Sequence, residues 1–261
     1  MNINFYISQI KPSIKKSPQI GIILGSGLGD FVKKINDSKI IHYKDITKYP
    51  ISTVKGHEGK FILGNIYNKS VICAEGRFHL YEGYDFNTTT LPIDIFNKLG
   101  CKTVIITNAA GCLNKDWTLG SLMLIKNCID FTFQNSNLPV YYFDNKSLIR
   151  DHSKKLMNYL SSLYPINQGT YSWVLGPTYE TPSEIQEIKK NGGDVVGMST
   201  MPEIIKAYKY GMDIIGLSCL SNYASGISEH ALTHQDVLKE VNKSKNIFTN
   251  LLLDLIKLIQ L

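Results

Sequence analysis

The stretch VLGPTYETPSEIQEIKKNGGDVVGMSTMPE, residues 174–203, encodes two strand-to-helix turns in succession. Thr181-Pro182-Ser183-Glu184 predicts a capping box, in which Thr181 precedes the helix, Pro182 begins it and Glu184 reaches back to the cap. Thr200-Met201-Pro202-Glu203 predicts a second box of the same kind. A short apolar run precedes each box, so each helix is expected to begin where a strand ends. This alternation favours an α/β fold.

Two dipeptides lie immediately ahead of these helix starts, Tyr179-Glu180 and Met198-Ser199. Open α/β sheets bind ligands beyond the carboxyl ends of their strands, which is where both dipeptides are expected. Ordinary turn chemistry explains the Thr, Pro and Gly residues of the stretch, but it gives no reason for Glu180. A carboxylate and a hydroxyl in these positions predict a functional site.

Size and composition describe one ordinary globular unit. At 261 residues, with 43% hydrophobic content, the chain can bury a sizeable core, and a single domain over residues 1–261 is expected. Polar residues interrupt its apolar runs, so we expect neither secretion nor a membrane partner. Five scattered cysteines indicate reduced, mostly buried thiols of a cytoplasmic protein. The net charge of +6 is spread over separate lysine pairs, which argues against nucleic-acid binding.

A glycine-rich loop, Gly25-Ser26-Gly27-Leu28-Gly29, follows the buried-strand pattern of residues 19–24 and precedes an amphipathic run over residues 30–35. Such a loop presents backbone N–H groups to an anion, and Ser26 adds a hydroxyl. Its spacing is not that of a dinucleotide loop, and the Gly-Lys-Ser/Thr of a triphosphate loop is missing. The loop therefore predicts a site for a small anion.

A β-rich segment follows, with strands expected over residues 51–54, 60–67 and 70–74 and a hairpin turn at Asn68-Lys69. His57 lies between two glycines, as either an exposed loop residue or a mobile ligand contact. Beyond the third strand, Arg77, His79 and Tyr81 would share one face if the segment is extended. These side chains suit an oxyanion lying beside a sugar, although a solvated edge strand is the alternative.

Three later segments add candidates. A strand over residues 102–107 is expected to end at Asn108-Ala109-Ala110-Gly111, where small residues let a ligand approach the backbone. The strand over residues 212–220 is expected to end at Ser221-Asn222-Tyr223-Ala224. Residues 129–143 are rich in aromatic residues and are interpreted as an irregular lid or subunit contact.

The last helix is predicted to begin after Thr233, with an apolar stripe running from Val237 to Ile259. His234 would be its first residue, where the helix dipole favours a neutral imidazole. His230 and His234 have the spacing of a metal-binding pair, but the cap at Thr233 separates them. No metal is therefore predicted.

In this order the motifs resemble those of the trimeric purine nucleoside phosphorylases. The matching segments lie within residues 20–237 and are GSGLGDF, GHEG, EGRFHLYEGY, TNAAG, GPTYETPSEI, VGMSTMPE, the Asn222 segment and THQDV. The resemblance implies a single α/β domain with a central mixed β-sheet flanked by helices, assembled as a homotrimer. It also implies reversible phosphorolysis of purine nucleosides to the free base and (deoxy)ribose 1-phosphate. Inorganic phosphate would be the co-substrate, with no cofactor.

The resemblance further assigns roles to individual positions. Phosphate would be held by Ser26, His57, Arg77, His79, Ala109 and Ser199. The purine would be held by Tyr179, Glu180, Val196 and Asn222, and the ribose by Tyr81, Met198, His234 and Phe131, the last from a neighbouring subunit. Asn222, Glu180 and His79 would be the catalytic residues. Residues 131–151 depart from the family pattern.

Glycosidic cleavage passes through an oxocarbenium-like state, which bound phosphate can stabilise and then attack, while Asn222 stabilises the departing purine. Glu180 and Asn222 together predict a preference for 6-oxopurines such as those of inosine and guanosine. A methylthioadenosine phosphorylase is the alternative within the enzyme class, and it would carry Asp at position 222. A catalytically silent nucleoside-binding protein of the same fold and an NAD-type oxidoreductase using residues 25–29 are alternatives of other classes.

Overall fold

The computed structural model describes residues 2–54, 59–134, 139–142, 149–227 and 234–259. The strands are β1 Ile20–Leu24, β2 Asn36–His42, β3 Lys60–Ile66, β4 Lys69–Glu75, β5 Thr103–Cys112, β6 Leu122–Asp130, β7 Val140–Tyr142, β8 Asn167–Trp173, β9 Val195–Gly197 and β10 Asp213–Tyr223. The α-helices are α1 Ile3–Ile10, α2 Phe86–Thr89, α3 Leu91–Leu99, α4 Asp151–Leu163, α5 Pro182–Lys190, α6 Met201–Lys209 and α7 His234–Leu258. Short 3₁₀ turns cover Lys11–Ser13, Gly29–Lys34, Tyr43–Asp45 and Leu80–Glu82.

The strands form one mixed sheet in the order β10-β6-β8-β9-β5-β1-β4-β3-β2, with β7 added to β6. Strand β10 also pairs with β5, so β5, β9, β8, β6 and β10 close into a ring. Strands β1, β4, β5 and β10 are mutually parallel, and their carboxyl ends therefore meet at one edge. The α/β class and the mixed sheet predicted from the sequence are confirmed.

Helices cover the sheet through apolar faces. The last helix buries Val241, Phe248, Leu252 and Leu255, which confirms the predicted stripe over its described part. Helix α3 lies so close to β1 that a Cβ built on Gly21 would come within 2.3 Å of the Phe96 ring. This close approach fixes β1, and with it the glycine-rich loop that follows.

Several predicted element boundaries are wrong. Residues 51–54 form no strand, and the exposed strand β2, which has no apolar alternation to reveal it, pairs with β3 instead. The β3–β4 turn lies at residues 67–68, one residue earlier than predicted. The amphipathic run that follows the glycine-rich loop forms the short 3₁₀ turn Gly29–Lys34. Residues 77–79 are irregular and 80–82 form a 3₁₀ turn, so Arg77, His79 and Tyr81 do not alternate along a strand.

Strands β5 and β10 are longer than predicted. Asn108–Gly111 and Ser221–Tyr223 belong to β5 and β10, because these two strands keep pairing with each other beyond their apolar segments. Strand β6 continues to Asp130 because β8 and β7 pair along it, so residues 129–130 and 140–142 are not irregular. The five cysteines are all free and buried, as expected. None of the helices in the described part of the chain has the length and apolarity to cross a bilayer.

Candidate active site

A cleft opens where the parallel strands β1, β4, β5 and β10 end. Strand β9 runs antiparallel to β5, with Val195 opposite Cys112 and Val196 opposite Gly111. The chain leaving β9 therefore runs back along β5 and brings residues 198–200 to the same edge. The predicted residues that line the cleft are Ser26, Arg77, His79, Tyr81, Ala109, Tyr179, Glu180, Val196, Met198, Ser199 and Asn222.

Three predicted residues are not placed in this cleft. His57 lies outside the described residues, and the side chain of His234 is likewise not among those described, although α7 begins at His234. Phe131 is only 8% exposed and packs inside its own subunit with Leu113, Ile129, Ile185 and Ile188. Phe131 also lines a second pocket with Phe133, Tyr179 and Glu180, and its contact with a neighbouring subunit's sugar stays a prediction.

Arg77 is held by a buried ion pair that the sequence did not reveal. Its Nε donates to Glu203 Oε1 at 3.0 Å, and one terminal nitrogen donates to Glu203 Oε2 at 2.6 Å. The other terminal nitrogen donates to the carbonyl of Thr107 at 2.8 Å. Both charged side chains are almost fully buried. The bidentate geometry fixes the guanidinium plane against the wall of the cleft.

The same ion pair explains why the second predicted capping box is wrong. Glu203 is turned to Arg77, and Thr200 makes no side-chain cap bond. Thr200 instead has φ 72° and ψ −53°, and the N–H of Met201 donates to the carbonyl of Ser199 at 2.7 Å. This is a strained γ-turn, which is rare for a residue with a branched side chain. By contrast, the first box, between Thr181 and Glu184, is formed in full.

His79 is oriented by Glu82, a second carboxylate that the sequence analysis missed. The Glu82 carboxylate accepts from the His79 backbone N–H at 2.8 Å and lies 3.0 Å from Nδ1 of its ring. Its other oxygen accepts from the backbone N–H of Thr53 at 2.8 Å. The His-x-x-Glu spacing in one turn was the available signal. On the cleft side, the His79 and Tyr81 rings stack with centroids 4.6 Å apart.

These contacts set the charge states of the pair. Burial, assisted by the Arg77 charge, lowers the pKa of His79 even though Glu82 opposes the shift. Burial would raise the pKa of Glu82, but hydrogen bonds from His79 and Thr53 outweigh it and bring that pKa to about 2. Near neutral pH, His79 is therefore a neutral imidazole beside an ionised Glu82. Its Nδ1 carries the proton, because the carboxylate beside it can only accept.

The glycine-rich loop is anchored to β5. The backbone N–H of Gly25 donates to Thr107 Oγ1 at 3.1 Å, and the Thr107 hydroxyl donates to the carbonyl of Ile23 at 2.9 Å. A Cβ at Gly25 would lie 2.7 Å from Cα of Asn108, so only glycine allows this approach. Ser26 thereby reaches the cleft next to β5.

The opposite end of the cleft carries an amide and a carboxylate. Asn222 is 8% exposed, its Oδ1 accepts from the Ser221 hydroxyl at 2.7 Å, and its Nδ2 donates to the carbonyl of Tyr223 at 3.1 Å. A carbonyl oxygen can only accept, so the Tyr223 contact fixes which way the amide faces. Burial, together with the nearby Glu184 charge, raises the pKa of Glu180, although a backbone hydrogen bond opposes the shift.

The chain is similar to known proteins along most of its length. A model of the phosphorylase superfamily matches residues 19–257. The chain belongs to this superfamily. Purine nucleoside phosphorylase 1 of Bacillus subtilis is 41% identical over 251 residues, covering 93% of each chain. Purine nucleoside phosphorylase of Bos taurus is 32% identical over 241 residues, covering 86% of this chain and 83% of that one.

Solved structures agree with the family assignment. A schistosoma purine nucleoside phosphorylase in complex with hypoxanthine superposes with a TM-score of 0.88 at 28% identity, covering 100% of this chain and 98% of that one. The family predicted from the sequence motifs is thereby confirmed. Within the described residues, no group of three or more His, Cys, Asp and Glu side chains is arranged to hold a metal ion.

Proposed function

We propose that this protein catalyses the reversible phosphorolysis of purine nucleosides to the free base and pentose 1-phosphate. The observation that carries the proposal is the division of one cleft into two ends of different chemistry. Hydrogen-bond donors and a guanidinium line one end, and a carboxylate with an oriented amide lines the other. The first end suits a phosphate and the second suits a purine.

At the phosphate end we assign Ser26, Arg77, His79, Ala109, Ser199 and, from the sequence alone, His57. The Thr107 and Glu203 contacts hold Arg77 in place before the anion arrives, so little reorganisation accompanies binding. Neutral His79 would present Nε2 to a hydroxyl oxygen of the phosphate, since Glu82 engages Nδ1. Phosphate is the co-substrate, and no cofactor is required by the proposal.

The sugar would lie between the two ends, on Tyr81 and Met198. A Cβ on Gly176 would meet the Met198 sulfur at 2.5 Å and the Tyr81 ring at 2.9 Å, so glycine there lets these two side chains come together. We keep His234 as a proposed sugar contact. Phosphate below the ring would stabilise the oxocarbenium-like state and then attack C1′, forming the new C–O bond as the C–N bond breaks.

At the base end we assign Tyr179, Glu180, Val196 and Asn222, with preference for 6-oxopurines. The Asn222 Oδ1 would accept from protonated N7 as charge builds on the leaving base, and Nδ2 would donate to O6. Glu180 would accept from N1–H. Adenine reverses the polarity of N1 and of the 6-substituent, and the Tyr223 and Ser221 contacts oppose the amide flip that would repair one of these mismatches.

Structures of a relative indicate that the residues at the base end of the cleft, and not the fold, decide between 6-oxopurines and 6-aminopurines. The schistosoma enzyme has been solved with inosine and also with adenosine, so the fold itself does not exclude a 6-aminopurine. A methylthioadenosine phosphorylase remains the alternative enzyme, and Asn rather than Asp at position 222 argues against it. A silent nucleoside-binding protein remains the alternative of another class.

We also propose that the chain acts as a cytoplasmic homotrimer. Five buried, free cysteines support a reducing compartment. The lining of a groove of about 880 Å³ combines apolar side chains, among them Tyr84, Trp173 and Leu175, with Asp85, Asp130, Gln134 and Lys209. Such a mixed surface fits contact with a second copy.

A panel of purine nucleosides incubated with and without phosphate tests the proposal. We expect cleavage of inosine and guanosine only when phosphate is present, with pentose 1-phosphate as the product. Nucleoside binding without turnover would favour the silent-binder alternative. Faster cleavage of methylthioadenosine than of inosine would favour the other phosphorylase.

A further inference from the structure

A carboxylate packs against the end of the glycine-rich loop, on the side of β4. Glu75 is the last residue of β4 and pairs in register with Leu24, the residue before the loop. A Cβ built on Gly29 would lie 2.2 Å from Glu75 Oε1, so the carboxylate touches the residue at which the loop ends. Because Gly25 is anchored to Thr107 at the other end, the two contacts hold the loop from both sides.

A lysine on the next strand forms an ion pair with this carboxylate. Lys60 begins β3 and lies opposite Glu75 in the antiparallel β3–β4 pair. Its Nζ lies 3.2 Å from Glu75 Oε2, and both side chains are only 13% exposed. Solvent screens such charges weakly, so each acts on the groups around it. Burial raises the pKa of the Cys73 thiol beside them; the Glu75 charge adds to that shift, and the Lys60 charge opposes it.

The sign of the charge beside this loop affects any anion that the loop binds. The proposed function places phosphate against Ser26, which lies between Gly25 and Gly29. A carboxylate that touches Gly29 repels an anion at Ser26, and a cation next to that carboxylate offsets the repulsion. Lys60 supplies such a cation, although it is not among the described residues that line the cleft.

We propose that Lys60 is a positioning residue of the phosphate site, which acts on the bound anion by neutralising Glu75. Glu75 holds the loop at Gly29, and Lys60 makes that contact compatible with an anion beside it. The ion pair therefore sets the affinity for phosphate and leaves the nucleoside end of the cleft unaffected. This inference rests on the proposed function, which places phosphate at Ser26.

The phosphate KM at saturating inosine tests the inference in single and double variants. Lys60→Met keeps an unbranched side chain and removes the charge. It should raise the phosphate KM about fivefold at low ionic strength and less at high ionic strength, with kcat and the inosine KM nearly unchanged. Glu75→Gln, which leaves the Lys60 charge without its partner carboxylate, should lower the phosphate KM. The double variant Lys60→Met with Glu75→Gln has neither charge and should return the phosphate KM close to its wild-type value.

Lys33→Met is the matched control, because it changes the net charge equally. Lys33 lies 2.6 Å from Asp30 on the 3₁₀ turn that Gly29 begins, but its side chain is 75% exposed. Solvent screens that pair, so the phosphate KM should stay unchanged. Circular dichroism checks the fold of every variant, and Glu75→Gln alone still tests the inference by the direction of its effect if Lys60→Met does not fold.

Three results would overturn this inference alone: an unchanged phosphate KM in Lys60→Met, a double variant as impaired as Lys60→Met, or a raised phosphate KM in Glu75→Gln. The second result would mean that Lys60 acts on the loop by packing and not by its charge. Wild-type protein that cleaves no purine nucleoside in the presence of phosphate would instead overturn the proposed function.

Discussion

Arg77 and Glu203 form a buried ion pair, so removing either charge leaves the other one buried without its partner. Arg77→Ala should lower the free energy of unfolding by about 3–5 kcal/mol, because it leaves a buried carboxylate unpaired, and it should also weaken phosphate binding. The double variant Arg77→Met with Glu203→Gln should recover much of the stability but not the phosphate KM. Urea denaturation and phosphate kinetics on both variants separate the two effects. A wild-type phosphate KM in the stable double variant would remove Arg77 from the site.

Asn222 decides the base in the proposed mechanism. Asn222→Asp replaces a donor by an acceptor that can receive from both N7–H and a 6-amino group. We expect the ratio of kcat/KM for inosine to that for adenosine to fall by roughly tenfold or more, with Glu180 still opposing adenine. Asn36→Asp, the same chemical change on the exposed edge strand, is the control. An unchanged ratio in the Asn222 variant would contradict the specificity argument.

Because of Glu180, kcat/KM should fall on the acid side of its pH profile at an unusually high pH. The proposed contact with N1–H needs the carboxylate, and burial raises the pKa of that group. Activity is then present above the raised pKa and is lost as the pH falls through it, earlier than for an ordinary glutamate of pKa ~4.3. A pH profile of kcat/KM for inosine measures this. Glu180→Gln should be slower throughout and lack that limb; if the limb persists, another group causes it.

At the scale of single elements, the capping box before α5 offers a clean stability test. Thr181 accepts from the Glu184 N–H, and Glu184 accepts from the Thr181 N–H at 2.7 Å. Thr181→Ala should lower the unfolding free energy by about 1 kcal/mol, through loss of the cap. Ser183→Ala changes an exposed residue of the same turn and serves as the control. Equal melting temperatures for the two variants would mean that the box contributes nothing.

The two predicted boxes show how far local sequence determines an element. Thr181 and Glu184 satisfy each other three residues apart, so the pattern alone was sufficient. Glu203 has the same spacing from Thr200, but its carboxylate bonds to Arg77, 126 residues away in the chain. A buried guanidinium outweighs a helix cap, which contributes only about 1 kcal/mol. No reading of the local sequence could have anticipated that partner.

Strand lengths were misjudged for a similar reason. The residues 108–111 and 221–223 look like loops because they are small or polar. They remain extended because β5 and β10 pair with each other there, across more than a hundred residues. The motifs nevertheless identified most of the cleft-lining residues. The roles of Glu82 and Glu203 were missed because they depend on which side chains the fold brings beside them.

For the whole molecule we predict a homotrimer, with Phe133 and Leu175 among its contacts because both are exposed apolar side chains. Light scattering should give three times the monomer mass. Phe133→Asp should shift the protein towards monomer, whereas Ile40→Asp, at a similarly exposed apolar residue on β2, should not. A stable and fully active wild-type monomer would rule the assembly out.

The closed ring of β5, β9, β8, β6 and β10 restricts how a substrate can enter and leave. A site formed between two domains can open by a hinge, but here opening the floor of the cleft would break the backbone pairing of adjacent strands. The paired strands of this ring, which form the floor of the cleft, should therefore separate only on global unfolding. Their backbone amides should exchange with deuterium at the slowest rates in the protein. Among the described residues, entry and exit of the substrate are expected at the irregular rim formed by residues 52–54 and 177–180. The rates of capture and release can thus be altered at the rim while the geometry of the floor stays the same.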